Sequence, residues 1–203
     1  MILSSKILNN AVEAVAALPG IGKKTALRIV LHLINGNMGT GENLANKLLE
    51  LKNIKFCKIC NNISDDDICD ICRSSSRDQN TICIVENIRD LIAIENTQQY
   101  NGLYHVLGGL ISPLDGISPE DLHIQDMIGR LKDNEDISEL IMALSPTVEG
   151  ETTIYYLTNM VPGNIKISLI SRGISFGGEL EYADEFTLGR SILTRIPYNS
   201  EIK

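Results

Sequence analysis

The stretch C-K-I-C-N-N-I-S-D-D-D-I-C-D-I-C, residues 57–72, decides the fold of the first part of this chain. Its cysteines form two pairs, Cys57 with Cys60 and Cys69 with Cys72, with two residues inside each pair and eight between the pairs. This spacing lets two short knuckles face each other across one tetrahedral ion. Because four thiolates leave no coordination position open for catalysis, the pattern predicts one structural zinc ion per chain.

Two other interpretations of the cysteines stay open at this point. Four reduced thiols can occur at this spacing by chance, and an iron–sulfur cluster is also held by four cysteines. The short spacing inside both pairs favours zinc. With either metal, the segment is expected to be a rigid joint. It is too short to bury much apolar surface, so the metal–sulfur bonds fix its structure.

Length and composition predict one good core plus a smaller module, since the chain has 203 residues and is 43% hydrophobic. No apolar run reaches the length of a membrane span, and the N-terminus lacks the layout of a signal peptide. We therefore expect a soluble, cytoplasmic protein without a membrane partner. The fifth cysteine, Cys83, lies in an apolar run and is expected to be a core thiol.

The charge is distributed unevenly along the chain. Residues 1–60 hold eight Lys and Arg against three Glu, a net +5, so the total of −8 leaves −13 for the remainder. A basic end predicts contact with a polyanion, although a chance skew with two solvated surfaces is the plain alternative.

The basic end contains a helix-hairpin-helix pattern. Two apolar-periodic segments, residues 1–17 and 23–34, are joined by Leu18-Pro19-Gly20-Ile21-Gly22. The glycines permit a tight turn, and the free N–H groups that open the second helix suit a phosphate. Lys24, Arg28 and His32 follow at four-residue spacing on one face. The pattern predicts DNA binding without sequence preference, against the alternative of an ordinary turn with solvated lysines. The predicted DNA-binding residues are Gly20, Gly22, Lys23, Lys24 and Arg28.

The next segments connect this hairpin to the second half. Residues 36–41 predict a flexible loop, which lacks the ending of a phosphate-binding loop and is assigned no nucleotide. A short helix is predicted over 44–51, and the polar residues 73–78 predict a linker.

From residue 81 onward, apolar runs alternate with helical patterns. This alternation predicts an α/β domain with a parallel sheet covered on both faces. Binding sites in such sheets lie beyond the carboxyl ends of the strands, where Glu86 and residues 145–151 are placed. The predicted strands are 81–85, 102–107, 138–144 and 165–170, and the predicted helices are 88–96, 119–132 with Ser118 as N-cap, and 150–160.

The order of these modules resembles the bacterial recombination mediator family RecR. The resemblance covers essentially the whole chain and rests on five stretches together: residues 18–24, the cysteine quartet, 102–109 (GLYHVLGG), 146–151 (PTVEGE) and 177–185 (GGELEYADE). It implies a helix-hairpin-helix DNA-binding and oligomerisation domain over 1–54, a four-cysteine zinc finger over 55–77, a Toprim domain over 78–171 and a C-terminal oligomerisation segment over 172–203.

The resemblance also implies a function. It points to a non-enzymatic DNA-repair protein that acts with RecO and RecF to place the recombinase on single-stranded DNA. It further implies a homotetrameric ring, joined through both ends of each subunit, that encircles single- or double-stranded DNA in the nucleoid.

The competing class is a Toprim-type magnesium-dependent phosphodiester enzyme. Such enzymes hold magnesium with a Glu and an Asp-x-Asp pair. Glu86 occupies the place of the Glu, but the loop in place of the pair reads Ser145-Pro146-Thr147, without a carboxylate at either position. The predicted role of Glu86, Glu149 and Glu151 is partner binding, with an unusual metal site or plain solvated carboxylates as the alternatives.

The C-terminal segment departs from the family pattern at Ser175, where a Pro is usual. Its apolar residues predict a partner surface, since a small monomer would otherwise expose them. A tail folded back on its own sheet is the alternative. The residues concerned are Phe176, Leu180, Tyr182 and Leu188.

Overall fold

A computed structural model gives the fold of the chain. It describes residues 5–35, 39–171, 173–174, 177, 179–195 and 197. The chain divides into two compact units, residues 1–54 and residues 55–203. The zinc-finger sequence therefore belongs to the same unit as the predicted sheet.

The described part of the first unit contains three α-helices, α1 (Lys6–Ala16), α2 (Lys23–Asn35) and α3 (Thr40–Glu50), followed by a 3-10 turn, Leu51–Asn53. The Ser5 side chain caps α1 by accepting a hydrogen bond from the Leu8 N–H at 3.3 Å. Apolar side chains at helical spacing form the small core between α1 and α2, with Val12, Ala26 and Val30 buried at its centre.

One prediction for the first unit was partly wrong. A loop was expected over residues 36–41, but α3 begins at Thr40 and includes Gly41. One glycine costs a helix only about 1 kcal/mol relative to alanine, so Gly41 does not prevent α3 from starting before it. Residues 36–38 lie outside the described part of the chain.

The second unit begins with the finger. Strands β1 (Lys55–Phe56) and β2 (Ile63–Ser64) form an antiparallel pair, and the short helix α4 (Asp70–Arg73) carries the last cysteine. These elements are too short to bury a core of their own, which agrees with a segment that depends on its metal.

A four-stranded parallel sheet follows, as the sequence predicted. Its strands are β3 (Thr81–Val85), β4 (Leu103–Val106), β5 (Glu139–Ala143) and β6 (Lys166–Leu169), in the spatial order β4-β3-β5-β6. Strand β4 thus lies at one edge of the sheet and β6 at the other.

Three helices accompany the sheet: α5 (Ile88–Glu95), α6 (Ile124–Asp133) and α7 (Val148–Met160). Alternate strand residues enter different cores, because successive side chains of a strand point to opposite faces. Ile82 and Leu140 join the larger core with α6 and α7. Cys83 and Val85 join the smaller core with Leu91 of α5. Cys83 is 2% exposed, which agrees with its expected place as a core thiol.

The predicted helix over 119–132 is interrupted. A 3-10 turn, Pro119–Asp121, precedes α6, and Ser118, the expected N-cap, caps that turn. Leu122 is extended, and the His123 N–H donates to the Leu107 carbonyl at 2.9 Å. This bond to the end of β4 draws the backbone out of the helical path before α6 begins.

The C-terminal segment contains a 3-10 turn, Leu180–Tyr182, and helix α8 (Glu185–Leu193), none of whose residues is buried. Tyr182 is 81% exposed and Leu193 81%. Ser175 and Phe176 lie outside the described residues. Among the described helices, none combines the length and apolar character needed to cross a bilayer.

Candidate nucleic-acid interface and zinc centre

The hairpin between α1 and α2 is a tight turn. The Ile21 N–H donates to the Leu18 carbonyl at 3.1 Å, with Pro19 and Gly20 between them. Gly20 has φ +77°, the left-handed value that the third position of a type II turn requires. Pro19 fixes its own φ, as the second position of that turn favours. This is the tight turn that the sequence predicted.

The start of α2 presents unused backbone donors. Within the described residues, no acceptor takes the N–H groups of Gly22, Lys23 or Lys24, since the first bond there runs from the Ala26 N–H to the Gly22 carbonyl at 2.9 Å. These residues are exposed. Open space also surrounds the Cα atoms of Gly20 and Gly22, so another molecule can approach the backbone closely.

The predicted basic residues lie beside these amides. Lys23, Lys24 and Arg28 are exposed on α2, and His32 is exposed in its last turn. None of them forms an ion pair with a described carboxylate. Lys47, in contrast, pairs with Glu50 at 2.8 Å. The start of α2 therefore combines open N–H groups with unneutralised cations, which is the chemistry that holds a phosphate.

The four cysteines of the finger converge as their spacing predicted. Their sulfurs lie within 4.8 Å of one another, and the Sγ atoms of Cys60 and Cys69 are 3.5 Å apart. Zinc–sulfur bonds of about 2.3 Å place the sulfurs of a regular tetrahedron about 3.8 Å apart. The cluster therefore fits a zinc ion. Three of the thiols are buried, and that of Cys72 is half-buried.

The backbone of the first knuckle places its sulfurs. The Asn61 N–H donates to the Cys57 carbonyl at 2.9 Å, and the Cys57 N–H donates to the Asn62 carbonyl at 2.8 Å. Asn61 has φ +60°, a conformation that asparagine tolerates better than most residues. The Cys69 N–H donates to the Cys57 sulfur at 3.3 Å, which links the second knuckle to the first.

The thiols also affect one another electrostatically. The hydrogen bond between Cys60 and Cys69 is the main cause that raises the pKa of Cys60 and lowers the pKa of Cys69. Four thiolates at this distance repel one another, and a divalent cation at their centre removes that repulsion. The donor set is therefore that of a structural zinc site.

The carboxylates predicted at the end of the sheet have a different arrangement. Val85 and Ala143 are paired, so Glu86 and the loop that starts at Leu144 leave the sheet on neighbouring strands. Among the described residues, however, the four cysteines form the only group of His, Cys, Asp or Glu able to hold a metal. Glu86, Glu149 and Glu151 do not converge on one ion.

Comparison with known families gives four matches that follow one another along the chain. The models are those of the RecR helix-hairpin-helix (residues 8–52), the RecR zinc finger domain with four cysteines (54–74), the Toprim domain (80–171) and the RecR C-terminal segment (173–196). Recombination protein RecR of Cytophaga hutchinsonii is 53% identical over 199 residues, which is 97% of each chain. The chain belongs to the RecR family.

Other RecR proteins are similarly close. That of Parabacteroides distasonis is 50% identical, over 96% of this chain and 94% of its own. That of Flavobacterium johnsoniae is 51% identical, over 100% of this chain and 99% of its own. The RecR zinc-finger match and the converging sulfurs together confirm one structural zinc held by four cysteines.

Sequence reasoning missed the hydrogen bonds that strand β4 makes with the RecR finger and with α6. The Cys60 carbonyl accepts a hydrogen bond from the Val106 N–H, and Arg130 donates to the Tyr104 carbonyl. These partners lie 46 and 26 residues apart in the sequence. No local spacing signals such contacts, so only the fold reveals them.

Proposed function

We propose that this chain is a DNA-binding recombination mediator in recombinational DNA repair, which acts with RecO and RecF to load a recombinase on single-stranded DNA. The observation that carries the proposal is the start of α2, where open N–H groups adjoin Lys23, Lys24 and Arg28, which no described carboxylate neutralises. Membership of a family whose members are named recombination proteins supports it.

The proposed contact with DNA is independent of sequence. Backbone N–H groups, lysine and arginine at a helix N-terminus hold phosphates and do not read base edges. Gly20 and Gly22 permit close approach of the phosphate chain, because neither presents a side chain there. Single- and double-stranded DNA share this backbone chemistry, so the proposal covers both.

One hairpin offers few phosphate contacts, so strong binding needs several subunits. We propose a homotetrameric ring in which hairpins act together around the DNA. Exposed apolar side chains in both end segments support assembly through both ends. Leu48 and Leu49 of α3 are 57% and 62% exposed, and Phe186 and Leu193 of α8 are 73% and 81% exposed.

The Toprim domain serves assembly and partner binding in this proposal, and the chain is not an enzyme. Magnesium chemistry needs several oxygen ligands around one ion. Among the described residues, Glu86 belongs to no group able to hold a metal, and Ser145 and Thr147 stand in place of the expected aspartates. Glu86, Glu149 and Glu151 are proposed to contact a protein partner such as RecO.

The test compares two charge-reversal variants of the first unit. Lys24→Glu with Arg28→Glu changes the hairpin face, whereas Lys47→Glu with Lys52→Glu makes the same change in net charge elsewhere in the unit. Affinity for single-stranded DNA is measured by fluorescence anisotropy over a range of salt concentrations. Circular dichroism and zinc content establish that both variants are folded.

We expect the hairpin variant to bind DNA at least roughly tenfold more weakly. Its plot of log affinity against log salt becomes shallower by about 0.7 for each phosphate of a single strand that the variant no longer neutralises. The control variant keeps the slope of the unmodified protein. Equal affinity and equal salt dependence of the two variants would show that the hairpin does not bind DNA.

A further inference from the structure

On its outer side, away from β3, strand β4 makes hydrogen bonds with the zinc finger and with α6. Among the described strands, β4 pairs only with β3, so the backbone groups on its other side need partners outside the sheet. The Val106 N–H donates a hydrogen bond to the Cys60 carbonyl at 2.8 Å. The Tyr104 carbonyl accepts one from the guanidinium of Arg130, in α6, at 2.7 Å. Both strand residues are buried, so water does not replace these partners.

The partner of Val106 is a metal-ligand residue. Cys60 supplies its sulfur to the zinc and its carbonyl to the strand, so one residue joins the ion to the sheet edge. The next residue, Asn61, donates from its side-chain amide to the Asp126 carboxylate of α6 at 3.2 Å. The first knuckle is therefore tied to the sheet domain at two adjacent residues.

The second knuckle contributes apolar packing. Ile71, which lies between Cys69 and Cys72, packs against the cysteine cluster and against both cores of the sheet. Its position depends on the two flanking cysteines. Few apolar contacts stabilise the finger itself, so these ligands and their ion fix where Ile71 lies.

We infer that zinc binding in the finger keeps the β4 edge of the Toprim sheet closed, and that loss of the metal opens this edge locally. The ion holds Cys60 in the position where its carbonyl accepts from Val106. Without the ion, the knuckle frays and leaves a buried N–H group without an acceptor. The finger therefore stabilises the β4 edge of the sheet in addition to forming a small fold of its own.

Amide hydrogen exchange at single residues tests this inference on the full chain. The Val106 N–H reports the outer edge, and the Leu107 N–H, which donates to the Val85 carbonyl at 2.9 Å, reports the inner edge of the same strand. The Ala26 N–H, bonded to the Gly22 carbonyl, reports the first unit. Exchange is compared between zinc-loaded protein and protein treated with a chelator under reducing conditions, with zinc-saturated chelator as the control.

We expect chelation to accelerate exchange at Val106 by roughly tenfold to a hundredfold, the effect of losing one buried hydrogen bond. Leu107 and Ala26 keep their protection, and added zinc restores that of Val106. Unchanged protection at Val106 would overturn the inference. Loss of protection at Val106 and Leu107 together would also overturn it, because the metal would then hold the whole domain.

A variant that keeps all four cysteines provides a second measurement. Asn61→Ala retains the zinc ligands but places alanine at φ +60° and removes the contact with Asp126. We expect full zinc content with faster exchange at Val106 alone. Exchange equal to that of the unmodified protein would count against coupling through the knuckle. None of these outcomes depends on DNA binding, so they are independent of the proposed function.

Discussion

Gly150, near the start of α7, occupies a site where a methyl group does not fit. A Cβ atom added there lies 1.9 Å from the Ser145 carbonyl oxygen and 3.1 Å from the Ser145 carbonyl carbon. That oxygen would have to move away by about 1.1 Å to reach the 3.0 Å below which real Cβ contacts essentially never fall. The obstacle is backbone, so no side-chain rotation relieves it, and Gly150→Ala must displace the loop that follows β5.

The cost of Gly150→Ala follows from two contributions. Overpacking against a fixed neighbour costs about 1–3 kcal/mol. The displaced loop also weakens the helix cap, in which the Gly150 N–H donates to the Thr147 hydroxyl at 3.1 Å, a bond worth about 0.5–2 kcal/mol. We expect a loss of about 2–4 kcal/mol in the free energy of unfolding. For a chain of this size the melting temperature should fall by roughly 4–16 °C.

Gly129 of α6 supplies the matched control, because a Cβ atom added there meets nothing within 4 Å. Gly129→Ala should stabilise the protein by about 0.5–1 kcal/mol, since alanine favours a helix interior. Urea unfolding followed by circular dichroism measures both variants. A Gly150→Ala protein as stable as the Gly129→Ala protein would refute the close approach of Ser145 to α7.

Two further predictions concern stability. Cys57→Ser should lower the zinc content below one ion per chain. It should also destabilise the finger by several kcal/mol, because structural zinc contributes about 10–16 kcal/mol of folding free energy and the variant loses part of it. Metal analysis with thermal unfolding checks this, and a metal-free variant of normal stability would contradict it. The ion pair with Arg77 lowers the pKa of the Glu95 carboxyl, so its stabilisation is present above the ordinary glutamate pKa and is lost as pH falls below it. Glu95→Gln should therefore cost about 1–3 kcal/mol at pH 7 and progressively less toward pH 3, and a difference independent of pH would contradict this.

The elements that sequence predicted well are those with strong local signals. Strands β3 and β5 each contain an uninterrupted apolar run, residues 82–85 and 140–143, and such runs form buried parallel strands. The cysteine spacing specified the metal site because ligand geometry depends on residues close in the chain. The turn at Gly20 was predictable for the same reason.

The features that sequence missed arise from contacts between distant residues. The interruption before α6 results from the bond between His123 and Leu107, and apolar periodicity carries no trace of it. The attachment of the finger through Cys60 and Val106 is equally invisible in spacing. The sequence placed three carboxylates beyond the carboxyl ends of the strands: Glu86, Glu149 and Glu151. Strand order alone does not decide whether their side chains converge on one ion.

The central claim is that the hairpin face of this chain lets it act as a recombination mediator. The most direct measurement is the rate at which recombinase assembles on single-stranded DNA coated with its binding protein, in the presence of RecO. We predict that the unmodified chain and the Lys47→Glu, Lys52→Glu variant accelerate assembly, and that the Lys24→Glu, Arg28→Glu variant does not. Equal acceleration by both variants, or no acceleration by the unmodified chain, would contradict the account.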